Sequence, residues 1–213
     1  MNTLRQQVAV VIGATSKWQA DGRNTKLAHG KVLDDRDLPV SIRWGIGGAV
    51  AQKFAQEGFF VVLTTRNRAN AAALEQAIHA QGGASMIVEL DLVSPASIAQ
   101  AFATIREQVG DPEVVIYNAG YLEGRELPPE KELLEHIPLE MFDTAQHISS
   151  RGPFLVVKEV LPAMRARGAG TFLISNNAAS LRGRKRQTGQ SLYYPRVMMR
   201  TLAPQIQGAD RTR

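Results

Sequence analysis

The chain has 213 residues, of which 44% are hydrophobic and 21% charged, a composition typical of one globular domain. It contains no cysteine, which excludes disulfide bridges, thiol catalysis and sulfur-ligated zinc, and we predict no metal site. Residues 1–7 lack the layout of a signal peptide and the apolar run 8–14 is too short to span a bilayer, so we expect a cytoplasmic protein without membrane contact.

The positive charge is concentrated at the carboxyl end. The net charge is +5, and residues 182–213 hold eight basic side chains and one Asp, a balance of +7 that leaves −2 for the rest. A basic tail can bind nucleic acid, here through Arg182 and Arg184–Arg186, but a solvated tail without a partner is the commoner case. We therefore rank nucleic-acid binding below the functions considered next.

The first strand is predicted at 7–12, where a run of valines is typical of a strand buried on both faces at the centre of a sheet. Residues 18–44 then carry mixed charges, glycines and a proline without any sustained period. A loop of this length is either functional or foreign to the fold. We interpret it as an inserted segment that loops out towards solvent, with a natural lid or partner-binding loop as the alternative.

Removal of residues 18–44 leaves the continuous sequence VAVVIGATSKGIGGAVAQKFAQEG. It predicts a strand, a glycine-rich turn and a helix, the order that a dinucleotide site requires. A turn with few side chains lets backbone amides and the helix N-terminus approach a pyrophosphate. The helix, predicted at 45–56, places Ile46, Val50 and Phe54 on one face. A corner whose glycines serve packing alone is the alternative.

Strands and helices alternate along the rest of the chain. We predict further strands at 59–65, 85–90, 114–117 and 170–176, and helices at 69–81, 94–109 and 139–164. Gly152-Pro153 is predicted to disturb the last helix locally. This alternation indicates an α/β fold, a Rossmann-like doubly wound parallel sheet in a single domain over 1–213, with 184–213 as a divergent basic tail.

Taken together, the motifs resemble the short-chain dehydrogenase/reductase family. The residues that carry the resemblance are Gly13-Ala14-Thr15-Ser16-Lys17 with Gly45-Ile46-Gly47, Asp91-Leu92, Asn118-Ala119-Gly120 and Gly152-Pro153-Phe154. The resemblance implies a nicotinamide cofactor, an oxidoreductase acting on a small carbonyl or alcohol substrate, and assembly as dimers or tetramers.

The resemblance also assigns roles to these residues. Asp91 would bond the adenine amino group and Leu92 would supply an amide, although an Asp after a strand also serves as a helix N-cap or as a turn residue. Asn118, Ala119 and Gly120 would line the floor of the cofactor site, with a plain strand-ending turn as the alternative. Six residues would surround the cofactor phosphates and the adenosine ribose: Gly13, Ser16, Lys17, Gly45, Ile46 and Gly47.

Arg66 favours NADP over NAD. An acidic residue at the end of the second strand accepts hydrogen bonds from a ribose 2′-OH, whereas an arginine there binds a 2′-phosphate. Thr65 occupies the acidic position in this chain and Arg66 follows it, while Lys17 adds a second cation. A solvated arginine beside an NAD site is the alternative.

The catalytic part departs from the family. The family uses a serine and a Tyr-x-x-x-Lys motif, and no such motif occurs in this chain. Ser180 and Tyr193 have the family's thirteen-residue separation, and Arg196 stands at the lysine position. Ser180 and Tyr193 are the candidate catalytic residues. The alternative for Tyr193 is an aromatic side chain that packs in a loop. Ser149 occupies the place of the family's helical asparagine.

Nothing after residue 206 resembles the family's last strands, so we expect those strands to be missing and the product to be truncated. Two functions therefore stay open. The first is an NADP-dependent oxidoreductase of the short-chain type. The second is a catalytically inactive nucleotide-binding or interaction protein on the same fold.

Overall fold

The computed structural model describes residues 6–15, 44–120 and 138–175. Within these ranges the elements differ from the predicted bounds by at most three residues, and no helix combines the length and the apolar character needed to cross a membrane. In chain order they are β1 (Val8–Ile12), α1 (Gly45–Gln56), β2 (Phe60–Thr65), α2 (Ala69–Ala80), β3 (Ala84–Glu89), α3 (Pro95–Gln108), β4 (Val114–Tyr117), α4 (Leu139–Gln146), a π-helical turn (His147–Arg151), α5 (Gly152–Arg167) and β5 (Thr171–Ile174).

The described strands form a parallel five-stranded sheet in the order β3-β2-β1-β4-β5. The strand β1 lies at the centre and all five of its residues are buried, as its valine run predicts. The strand order reverses between β1 and β4, so the chain leaves the carboxyl ends of these two paired strands towards opposite sides of the sheet and a crevice lies between the two connections. In doubly wound folds such a switch point is where ligands bind.

Helices cover both faces of the sheet, which confirms the predicted Rossmann-like fold. On one face, residues of α3 and α5 such as Phe102 and Val156 pack on Val10 of β1. On the other face, residues of α1 and α2 such as Ala51 and Leu74 pack on Val11. Adjacent residues of β1 therefore serve opposite cores, because side chains alternate across a strand.

The apolar face predicted for α1 is wrong in one respect. Ile46 is 70% exposed, and the buried residues of this helix are Gly47, Gly48 and Ala51. The helix meets the sheet through residues with little or no side chain, because close approach of the two backbones leaves no room for an isoleucine. Val50 and Phe54 are only partly buried at the edge of this contact.

Trp44 was predicted to belong to the segment that loops out, and the structure corrects this. Trp44 is 9% exposed and lies in the core beneath α1 and α2. Its side chain fills the space that Gly48 leaves, since a Cβ on Gly48 would lie 2.5 Å from the Cβ of Trp44. The fold thus resumes at Trp44, and residues 18–43 lie outside the described residues.

The predicted disturbance at Gly152-Pro153 takes the form of the π-helical turn between α4 and α5. Proline has no amide hydrogen, and its ring would clash with the carbonyl of Ser149 in a regular helix. A wider turn, in which the amide of Gly152 donates to the carbonyl of His147, separates these groups. At its end, Nη2 of Arg151 donates to the carbonyl of Val93 and ties the turn to the loop before α3.

Candidate functional site

The two halves of the glycine motif meet at the switch point, although about thirty residues separate them in sequence. A Cβ on Gly47 would overlap the carbonyl oxygen of Gly13 and lie 2.8 Å from the carbonyl oxygen of Ala14. Gly13 itself has φ +75° and a Cβ there would lie 2.6 Å from Cα of Ala119. Three stretches therefore touch backbone to backbone: the end of β1, the start of α1 and the end of β4.

Asn118 holds this arrangement together. Its amide nitrogen Nδ2 donates to the carbonyl of Gly13 at 3.1 Å, and its backbone amide donates to the carbonyl of Ile12 at 2.9 Å. The end of β1 is joined to β2 as well, because the amide of Ala14 donates to Thr64 at 3.2 Å. Asn118 and Ala119 are thus fixed against the glycine turn, while Gly120 follows them as the last residue of this described range.

The polar groups of this corner suit an anion. The first turn of α1 has no acidic residue and no side-chain cap on its amides, so the positive end of the helix is not neutralised locally. In the part of the chain that the structure describes, the hydroxyl of Thr15, in the turn that follows β1, is buried without a hydrogen-bond partner. The sequence prediction left Thr15 out of the site, although it lies inside the quoted motif; a buried hydroxyl is recognisable only in the fold.

The turn after β2 carries two arginines, Arg66 and Arg68. The Nη1 atom of Arg68 donates to the carbonyl of Ile87 at 2.6 Å, so this guanidinium binds the backbone of β3. Arg66 is exposed at the carboxyl end of β2, directly after the buried Thr65. No carboxylate is present at residues 65–68. Arg66 thus lies at the same edge of the sheet as the glycine corner, because the carboxyl ends of parallel strands share one edge.

Asp91 and Leu92 lie in the loop between β3 and α3. The carboxylate oxygen Oδ1 of Asp91 accepts a hydrogen bond from the backbone amide of Val93 at 3.0 Å. The backbone amide of Asp91 donates to the hydroxyl of Ser97 at 2.9 Å. The turn role that was the alternative for Asp91 is thus present in the structure. The carboxylate remains exposed, so this contact does not occupy it fully, whereas the side chain of Leu92 is buried in the core.

Four of the predicted site residues lie outside the described residues. They are Ser16 and Lys17 of the glycine turn and the catalytic candidates Ser180 and Tyr193. Ser149, at the place of the helical asparagine, is buried in the π-helical turn. Within the described ranges, no group of three acidic or histidine side chains is arranged to hold a metal ion.

Comparison with known proteins identifies the family. The family model adh_short_C2, described as enoyl-(acyl carrier protein) reductase, matches residues 40–196, which is more than half of the chain. Galactitol 2-dehydrogenase of Agrobacterium fabrum is 31% identical over 149 residues, or 70% of this chain and 54% of that protein. The chain belongs to the short-chain dehydrogenase/reductase family of oxidoreductases.

Two solved structures share the fold. A metagenomic short-chain oxidoreductase in complex with NADP superposes with a TM-score of 0.68 at 24% identity, covering 94% of this chain and 76% of that one. A 7α-hydroxysteroid dehydrogenase complexed with NADH and a 7-oxo bile acid gives 0.71 at 20% identity, covering 96% and 67%. The chain spans about half the length of the curated relatives it matches.

Proposed function

We propose that this chain binds NADP in the crevice between β1 and β4 and forms the cofactor domain of an oxidoreductase that interconverts a small alcohol and its carbonyl compound. The observation that carries the proposal is the closed corner of Gly13, Gly47 and Asn118. It brings amides and a helix N-terminus together where side chains would fill the space. Family membership and the NADP bound to one structural neighbour support it.

The residues present fit a dinucleotide. In this proposal the amides of α1, with Gly45 and Ile46, and the hydroxyl of Thr15 face the pyrophosphate, where the buried hydroxyl gains the partner it lacks. Ser16 and Lys17 are proposed to complete this turn. Asp91 and Leu92 are proposed to contact the adenine, and Ala119 and Gly120 to line the floor of the site. The cofactor would supply the hydride, and the protein its position and a proton.

The first test is a titration of the purified chain with NADPH, followed by nucleotide fluorescence. We expect saturable binding, and an absence of binding at millimolar NADPH would contradict the proposal. The wild-type affinity is also the reference against which every variant below is compared.

Arg66→Gln is expected to raise the Kd for NADPH about tenfold, because a charge-assisted contact with the 2′-phosphate is lost at an exposed site. The Kd for NADH is expected to change less than about twofold. The matched control is Arg68→Gln, since Arg68 binds the carbonyl of Ile87 and should affect stability rather than cofactor preference. Equal losses for NADPH and NADH in Arg66→Gln would argue against an NADP site.

Catalysis is proposed to depend on Tyr193 as the proton donor, with Ser180 orienting the carbonyl group. The substrate class follows the relatives, because galactitol 2-dehydrogenase is named for the oxidation of an alcohol. We expect Tyr193→Phe to abolish NADPH oxidation over a panel of carbonyl compounds while NADPH binding is retained. Wild-type turnover that survives in Tyr193→Phe would remove Tyr193 from the mechanism but leave the binding proposal intact.

A further inference from the structure

A carboxylate from the neighbouring strand lies beside the turn that carries Arg66. In the register of the parallel pair β2 and β3, Glu89 is opposite Thr65. The amide of Leu90 then donates to the carbonyl of Thr65 at 2.9 Å, so the two strands stay paired up to their carboxyl ends. The last residue of β3 is thus adjacent to the point where β2 enters the Arg66–Arg68 turn.

The side chain of Glu89 turns towards that turn. Its Oε1 atom accepts from the backbone amide of Arg68 at 3.3 Å. Glu89 and Asp91 are exposed, while Leu90 and Leu92 between and after them are buried. Because side chains alternate across an extended chain, the two carboxylates lie on the same side. Glu89 therefore shares one side of the chain with Asp91 and contacts the turn that contains Arg66.

We propose that Glu89 sets the balance between NAD and NADP, as the acidic residue that β2 itself lacks. This inference rests on the proposed function. A carboxylate at this place accepts a hydrogen bond from a ribose 2′-OH and repels a 2′-phosphate. Arg66, on the same turn, acts in the opposite direction. The site thus holds one group for each cofactor, supplied by two different strands, and its preference for NADP is reduced by Glu89.

The competing explanation is that Glu89 only caps α2 through the amide of Arg68. A cap affects the stability of the helix, but it does not discriminate between two nucleotides that differ at the 2′ position. The ratio of the Kd for NADH to the Kd for NADPH therefore separates the two roles, whereas a melting temperature does not.

The experiment measures both Kd values by nucleotide fluorescence for wild type, Glu89→Gln, Glu89→Asp and the control Glu107→Gln. Glu107 is an exposed acid on α3, so its variant has the same change of charge away from the turn. We expect Glu89→Gln to tighten NADPH about threefold and weaken NADH about threefold, a roughly tenfold change in the ratio. Glu89→Asp retains the carboxylate and Glu107→Gln retains Glu89. Both variants should therefore keep the ratio of the two Kd values within about twofold of the wild-type ratio.

A ratio that does not change in Glu89→Gln, while the wild type binds nucleotide, would overturn this inference and leave the proposed function standing. A wild-type chain that binds neither nucleotide would overturn both. If the wild type binds NADPH but not NADH, the Kd for NADPH alone is compared. A Kd that does not fall in Glu89→Gln would then overturn the inference. Titration with adenosine 2′,5′-bisphosphate against AMP repeats the comparison on the adenosine half of the site, and an unchanged ratio there would equally overturn the inference.

Discussion

Gly47→Ala is expected to weaken NADPH binding by at least about a hundredfold, which corresponds to about 2.7 kcal/mol of binding free energy. The added methyl group would overlap the carbonyl oxygen of Gly13 and come within 2.8 Å of Nδ2 of Asn118. Both neighbours belong to the backbone corner and its tether, so the start of α1 must move away from β1. The amides that are proposed to face the pyrophosphate would move with it.

The same variant is expected to lower the free energy of unfolding by about 3 kcal/mol, at the upper end of the usual cost of overpacking. Gly83→Ala is the matched control. Its Cβ would lie 2.8 Å from the side-chain atom Cγ2 of Ile78, a milder clash at the amino end of β3, whereas the Gly47 corner lies at the carboxyl ends of β1 and β4. We expect Gly83→Ala to lose stability and keep its affinity for NADPH. Wild-type affinity in folded Gly47→Ala would show that the corner is not the nucleotide site.

Tyr117→Phe and Gly152→Ala are each expected to lower the free energy of unfolding. The double variant is expected to lose less than the sum of the two single losses. The hydroxyl of Tyr117 donates to the carbonyl of Ile148 in the π-helical turn, and this contact is buried. Loss of the donor removes this buried hydrogen bond and should cost about 1 kcal/mol. A Cβ on Gly152 would lie 2.5 Å from the same hydroxyl oxygen, so Gly152→Ala should cost about 2 kcal/mol.

In the double variant the clash with the hydroxyl is relieved, because phenylalanine has no hydroxyl and Cζ of residue 117 lies 3.6 Å from the added Cβ, while the carbonyl oxygen of His147 stays 3.1 Å away. The sum of the single losses should therefore exceed the loss of the double variant by at least about 1 kcal/mol, measured by urea unfolding. Tyr117→Phe with Ala169→Gly provides a control pair without a shared contact, which is expected to be additive. Additive losses for residues 117 and 152 would contradict the proposed fit between the strand end and the turn.

Local patterns were sufficient for most of the fold. The valine run of β1 predicts a buried central strand, and Ser94-Pro95 predicts the start of α3, where the hydroxyl of Ser94 accepts from the amide of Ser97 at 3.2 Å. Such signals act within a few residues and depend on backbone geometry and burial alone. The alternation of strands and helices then leaves few topologies, because parallel strands require right-handed crossovers.

Two predictions failed because their outcome depends on distant parts of the chain. Ile46 belongs to the apolar pattern of its helix, yet it is exposed because the sheet approaches α1 so closely that only small residues fit between them. Trp44 is the last residue of the segment 18–44, which has no sustained period, yet it is buried because Gly48 leaves a space of suitable size. Periodicity describes one element, whereas both outcomes are set by the distance between two.

The sequence by itself determined the class of fold, the family and, to within two residues, where each described strand ends, since these follow from short-range patterns and recurring motifs. Only the tertiary structure decided which of those residues meet. It closed Gly13 against Gly47 across a long intervening segment, bound Arg68 to the carbonyl of Ile87, and placed Glu89 of β3 beside the turn of β2. The physical reason is that a parallel sheet gathers the carboxyl ends of strands that are far apart in the chain.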